Sequence, residues 1–251
     1  MFVLPINRDE RPTRTPYILI TLIVINTAVF LLGYLLGPQQ VFFQQYGFTP
    51  ADPHVFNAFS SLFVHSGVWH LLGNMWFLWM FGKQVEDVFG RWIFAATYLC
   101  CGMGAHALHY AFNMQSSIPC VGASGAISGV AGIYFILFPK SRFDLTFYLG
   151  WLRVGSISTF THAAVGTWIG EQILLGIISQ TTHSFGIAFW AHVGGFVVGL
   201  AAGLACILVV PEREHTRVPV NAPEDYPGAP DLGDAGMTQL KLTESSHELH
   251  K

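Results

Sequence analysis

The feature that most constrains this chain is a series of six long, apolar stretches. With soft edges they run over 16–36, 58–82, 91–112, 122–139, 157–179 and 186–210. A helix needs about 20 apolar residues to cross a bilayer, and only the fourth stretch is short for a full crossing. Their interiors contain one charged residue, Glu171. Charged residues make up 11% of the 251-residue chain, against about 25% in an ordinary soluble domain. The expected fold class is therefore an all-α membrane protein with six transmembrane helices.

The sequence predicts three parts: a cytoplasmic N-terminal segment over 1–15, a six-helix membrane domain over 16–210, and a polar tail over 211–251. The tail is rich in Pro, Asp, Glu and Gly. Such a composition buries too little apolar surface to offset ordering, so disorder is expected there. Its histidines, His215, His247 and His250, read as solvated. The N-terminus is polar and basic before the first apolar stretch, which is unlike a cleavable signal peptide.

Topology follows from the basic residues. Arg8, Arg11 and Arg14 precede the first stretch, and Lys83 and Arg91 flank the turn between the second and third. Lys140, Arg142 and Arg153 lie between the fourth and fifth, and Arg213, Arg217, Lys241 and Lys251 follow the sixth. That is every one of the 12 Lys and Arg in the chain. By the positive-inside rule both termini are cytoplasmic, and the expected location is the cell (plasma or inner) membrane. The lipid bilayer is thus a partner. A net charge of −3 gives no reason to expect nucleic acid, and no obligate partner chain is predicted. Four cysteines, Cys100, Cys101, Cys120 and Cys206, form no zinc or disulfide pattern.

In this topology the second, fourth and sixth stretches all run from the outer face inward, and each carries polar residues near its start. A polar group in a membrane helix is costly and is a functional hypothesis by default. His70 and Asn74 are four apart and share one helix face. Both can donate hydrogen bonds toward one point, as an oxyanion hole requires. Ser124 lies at a helix start, where backbone N–H groups are unpaired and the dipole end is positive. His192, about six residues or ~9 Å into the sixth stretch, can take the serine proton. Gly125, Gly129 and Gly132 on the fourth stretch, and Gly195, Gly199 and Gly203 on the sixth, form small-residue stripes of the kind that let two helices approach closely. If those stripes pack, Ser124 and His192 meet near the outer face.

Each feature has a plainer reading. A membrane serine often bonds the carbonyl one turn back, and glycine stripes are usually packing alone. His106, His109, His162 and His183 read as packed, satisfied groups. Glu171 and Gln172 either line a polar cavity or bond a neighbouring helix, and we favour the second. Cys120, four residues before Ser124, is expected at the rim of the site. A metal carrier would show more intramembrane acids. Zinc or aspartyl intramembrane proteolysis is excluded, because the chain lacks His-Glu-x-x-His and a membrane-embedded aspartate pair.

His70-Leu71-Leu72-Gly73-Asn74, Gly122-Ala123-Ser124-Gly125 and Ala191-His192-Val193-Gly194-Gly195 resemble the three signature motifs of rhomboid intramembrane serine proteases, in the family's order and on its helices two, four and six. The stretch 59–91 is similar throughout, including Val85-Glu86-Asp87-x-x-Gly90, and the resemblance covers about 15–210. It implies a rhomboid-like bundle and a Ser–His dyad with no third carboxylate. Ser124 would be the nucleophile and His192 the general base. His70, Asn74 and the Ser124 backbone N–H would hold the oxyanion, with Gly122 permitting the turn before the nucleophile. The implied substrates are single-pass transmembrane proteins cut near the outer face, and no cofactor or metal is implied. The alternative is a catalytically silent rhomboid-like protein that binds transmembrane helices. Two departures stand out. Ser128 occupies a position that is aromatic in the best-studied bacterial members and packs there on the histidine, and the first outer loop lacks a Trp-Arg pair. Ser128, Phe196 or Trp190 is expected to orient His192 instead.

Overall fold

The structure, a computed structural model, describes residues 2–7, 12–149, 151–182 and 188–209. The tail over 211–251, with His215, His247 and His250, lies outside the described residues, as does His183. Six long helices account for the six apolar stretches: α1 (Tyr17–Leu35), α4 (Val68–Phe89), α5 (Arg91–Asn113), α6 (Ser124–Leu137), α7 (Thr161–Thr182) and α8 (Phe189–Val209). Two short helices, α2 (Gln39–Tyr46) and α3 (Val55–Ser60), and a 3-10 turn over Ser61–Phe63 lie between α1 and α4. Among the described residues, α1 and α8 are long and apolar enough by themselves to cross a membrane, and α6 is a shorter apolar helix.

The short fourth stretch is the centre of the bundle. Every residue of α6 from Gly125 to Tyr134 is buried, against α8, α5 and α4. Wrapped on all sides by other helices, 14 residues, about 21 Å at 1.5 Å per residue, suffice at this position. The glycine stripes make the α6–α8 contact. A Cβ at Gly195 would collide with the Gly125 carbonyl oxygen, and one at Gly199 with that of Gly129. No other residue allows backbone-to-backbone approach at these positions. Tyr98, Tyr134, Phe94 and Phe143 are the bulkiest fully buried side chains of the core.

The all-α expectation is corrected at the end of the bundle opposite the start of α6. Strands β1 (Phe2–Asn7), β2 (Arg142–Leu149) and β3 (Leu152–Phe160) form an antiparallel sheet in the order β1-β2-β3. No strand was expected between the fourth and fifth stretches. Yet 142–160 is rich in aromatic and β-branched residues alternating with Ser, Thr and Asp, which suits a pleated ribbon. Phe143 anchors it by packing on Phe81 and Tyr134, with both ring centroids 5.8 Å away. Asp144 accepts a 2.6 Å hydrogen bond from the Ser158 hydroxyl across the hairpin.

The second stretch is displaced along the sequence. Its helix begins at Val68 and runs to Phe89, where 58–82 was expected. Before it, the turns over 55–63 end at an extended Val64, and the chain enters α4 from an extended Gly67; the Ser60 hydroxyl donates to the Tyr46 carbonyl at 2.7 Å and that of Ser61 to the Ala58 carbonyl at 3.2 Å. At the far end, α4 extends because its last turns serve α1. The α1 N-terminus has no side-chain cap of its own. Glu86 accepts from the Ile18 and Leu19 amides at 3.0 and 2.8 Å, and Asp87 accepts from the Thr13 and Arg14 amides at 3.0 and 3.1 Å. The orphan donors of a helix start are thereby satisfied by an adjacent helix.

Candidate active site

Ser124 is the first residue of α6 and His192 the fourth of α8. The histidine is therefore about 4.5 Å into its helix by rise per residue, shallower than a start at 186 implied. Gly195 and Gly125 bring the two backbones together beside them. The result is a direct contact: Ser124 Oγ lies 2.9 Å from His192 Nε2. Ser124 has no carbonyl one turn back within its own helix. Ser128 does, and its hydroxyl donates to the Ser124 carbonyl at 2.7 Å. The plainer reading of membrane serines thus applies to Ser128 and leaves the Ser124 hydroxyl for the histidine.

The loop before Ser124 is tied at two points. Phe48 and Cys120 exchange backbone hydrogen bonds of 2.9 and 2.8 Å, and the Gly122 amide donates to the Ser61 carbonyl at 2.9 Å. Gly122 has φ +124°, where side chains are strained. A Cβ there would also stand 2.9 Å from His70 Nε2 and 3.8 Å from Ser124 Oγ. The His70 ring, the Gly122 backbone and the serine hydroxyl therefore enclose one small space.

The two site histidines are held in opposite tautomers. His70 Nδ1 receives the Ser66 backbone N–H at 3.3 Å and lies 2.9 Å from the Ser66 hydroxyl. A backbone N–H can only donate, so Nδ1 is the acceptor and Nε2, beside Gly122, carries the proton. His192 Nδ1 lies 2.7 Å from Gln172 Oε1. A carbonyl oxygen can only accept, so Nδ1 carries the proton and Nε2, facing Ser124, is bare. Asn74 is buried on the His70 face of α4, and its Nδ2 donates to the His70 carbonyl at 2.8 Å. The structure thus joins Ser124, His192, His70 and Gly122 directly, while Asn74 adjoins them with its amide turned along its own helix.

None of the groups expected to orient His192 does so. Ser128 is engaged as above, Trp190 stacks on Phe112 at 3.8 Å, and Phe196 packs edge-on to Phe135 at 5.9 Å. The ring is oriented from α7, by Gln172 and by Trp168, whose ring centroid is 5.9 Å from the imidazole. Of the adjacent polar pair, Gln172 is the buried one and Glu171 is exposed. The sequence signal for Gln172 was its polarity within an apolar helix; that for Ser66 was its spacing of four from His70.

Of the histidines expected to be packed, His106 is buried and His109 half-buried, while His162 is exposed and so departs from that expectation. His106 Nε2 lies 2.9 Å from the Ser61 hydroxyl and its ring packs on Phe48 at 4.5 Å. His109 bonds Asn113 at 3.3 Å, and His162 the Phe135 carbonyl at 3.2 Å. No cluster of metal-ligating side chains occurs among the described residues. Burial pushes the Cys120 thiol up to about 12, so this loop cysteine is a poor nucleophile.

A family model described as Rhomboid domain matches residues 52–208, and the chain belongs to the rhomboid family. It is 26% identical over 188 residues to the mitochondrial presenilin-associated rhomboid-like protein of Mus musculus, covering 71% of this chain and 46% of that protein. It is 27% identical over 170 residues to rhomboid-type serine protease 2 of Emericella nidulans, covering 67% and 30% respectively. With chloroplastic rhomboid-like protein 11 of Arabidopsis thaliana it shares 26% over 205 residues, 76% of this chain and 66% of the relative. The match thus spans less than half the length of the first two relatives.

Proposed function

We propose that this chain is an intramembrane serine endopeptidase that cleaves single-pass transmembrane proteins near the outer face of a cell (plasma or inner) membrane. The observation that carries this reading is the 2.9 Å contact between Ser124 Oγ and a His192 Nε2 left bare by the bond at its other nitrogen. It is supported by membership of a family in which one relative is named a serine protease. In this account α1 and α4–α8 cross the bilayer with both termini cytoplasmic, in keeping with the placement of every Lys and Arg.

The chemistry is acyl transfer. Ser124 Oγ attacks the scissile carbonyl while its proton passes to His192 Nε2. The developing oxyanion is met by His70 Nε2–H, by the unpaired N–H groups of the first turn of α6, and by the Asn74 amide once it swings from the His70 carbonyl. The imidazolium then returns its proton to the leaving amine. Water, activated by the same nitrogen, attacks the acyl-enzyme and releases the second fragment. No carboxylate takes part, and none is bonded to the imidazole among the described residues.

Purified protein in detergent or liposomes, incubated with a panel of transmembrane substrates, tests this reading. Wild type is expected to cleave and Ser124→Ala to be inert. Equal processing by both would sink the proposal and favour a silent protein that only binds transmembrane helices.

A further inference from the structure

We infer that Gln172 is the positioning residue of the dyad: it selects the His192 tautomer that accepts the serine proton, and it stabilises the imidazolium through a neutral carbonyl dipole. The inference rests on the protease reading above and deepens it.

A neutral imidazole carries one proton on either nitrogen. Only the form with the proton on Nδ1 presents a lone pair to Ser124. A free ring populates both forms, so something must choose. Among the described residues Nδ1 has one hydrogen-bond partner, Gln172 Oε1 at 2.7 Å. The Ser128 hydroxyl is turned toward the Ser124 carbonyl instead, at 2.7 Å. Gln172 is 7% exposed, so water does not readily replace it. Trp168, one turn earlier on α7, packs near the same ring, so one helix fixes both the plane and the protonation of the base.

The proton account is closed. Ser124 Oγ–H breaks as its proton binds Nε2, and the resulting imidazolium keeps Nδ1–H pointed at Gln172 Oε1. The negative end of the amide dipole stabilises that charge, less strongly than a carboxylate would. Nε2–H then goes to the leaving amine, and the ring returns to its starting tautomer without rotating.

The test compares wild type, Gln172→Leu, Gln172→Glu and Ser124→Ala for cleavage kinetics, labelling by a fluorophosphonate, and melting. Gln172→Leu keeps the bulk and removes the acceptor. Its kcat is expected to fall about 10- to 100-fold, the range for losing the partner that orients a functional histidine, with KM within about twofold. Gln172→Glu restores an acceptor and adds charge. It is expected to recover most of the loss, with the acid limb of its kcat/KM profile moved up by about one pH unit. A residue that merely packs would lose no kcat in Gln172→Leu and gain no rescue in Gln172→Glu. Wild-type kcat in Gln172→Leu, or an acid limb unmoved in Gln172→Glu, overturns the inference. Should Gln172→Leu fail to fold, the acid limb of Gln172→Glu decides alone. Wild type that neither cleaves nor labels sinks the protease reading itself, which separates the two failures.

Discussion

Gly195→Ala would place one methyl group where α6 and α8 touch backbone to backbone. The added Cβ falls well inside contact distance of the Gly125 carbonyl oxygen, and Cys101 on α5 adds its own carbonyl oxygen at 3.5 Å. Nothing here is a flexible side-chain tip that can turn away, so the helices must part. Restoring ordinary contact, roughly 3.5 Å between heavy atoms, requires a shift of about 1.5 Å. That shift falls one residue from Ser124 and three from His192. The 2.9 Å Ser124–His192 contact would open to roughly 4.5 Å, outside hydrogen-bond reach. Overpacking of this kind costs about 1–3 kcal/mol of stability. A misplacement of about 1 Å costs a further factor of about 100 in rate. Gly203→Ala provides the internal standard. It lies eight residues further along the same helix, about 12 Å from Gly195, where the new Cβ meets Ile136 Cβ at 2.9 Å. It should lower the melting temperature while leaving the labelling rate near wild type. Melting curves and the rate of fluorophosphonate incorporation read both quantities on one preparation. A Gly195→Ala protein that labels at the wild-type rate would refute the claim that glycine contact sets the catalytic distance.

Three further outcomes are expected. Ser66→Ala removes the hydroxyl beside His70 Nδ1 but leaves the weaker backbone donor, so kcat should fall only a few-fold, about 1 kcal/mol for one hydrogen bond, with KM unchanged. Glu86→Gln replaces a buried carboxylate that receives two α1 amides; it should cost about 1–3 kcal/mol in unfolding measurements without changing the activity of the folded fraction. Cys120 should resist maleimide near pH 7, because the thiolate is the reactive form and burial holds the thiol at about 12. Its labelling should climb steadily as pH rises from 7 to 10, and fast labelling at pH 7 would contradict the raised thiol.

The sequence and the structure agree where a residue's role depends on its own helix and on spacing along it. The six long helices, the serine at a helix start, the histidine in the first turns of the last helix and the glycine stripes are all local patterns. Chain order and glycine spacing sufficed to bring Ser124 to His192. What escaped notice depends on rotation and on partners distant in sequence. The apolar residues of α7 lie all round the helix, so no stripe marks its inward side, and the choice between Glu171 and Gln172 could be read only from the packed helices. The aromatic substitute for the missing ring at Ser128 was sought on α8, among residues near His192 in sequence. It came from Trp168, 24 positions earlier. The start of α4 moved because the helical turns over 55–63 end at an extended Val64 and the chain enters a new helix from an extended Gly67, a break that hydropathy does not register. The strand β1 was invisible because its partner β2 lies about 140 residues away.

The most direct test of the central claim is to locate the covalent adduct of a fluorophosphonate by peptide mass spectrometry, in wild type and in His192→Ala. The account predicts a single adduct on Ser124 in wild type and a loss of labelling of about 100-fold or more without the base. An adduct on another serine, or undiminished labelling of Ser124 in His192→Ala, would contradict it.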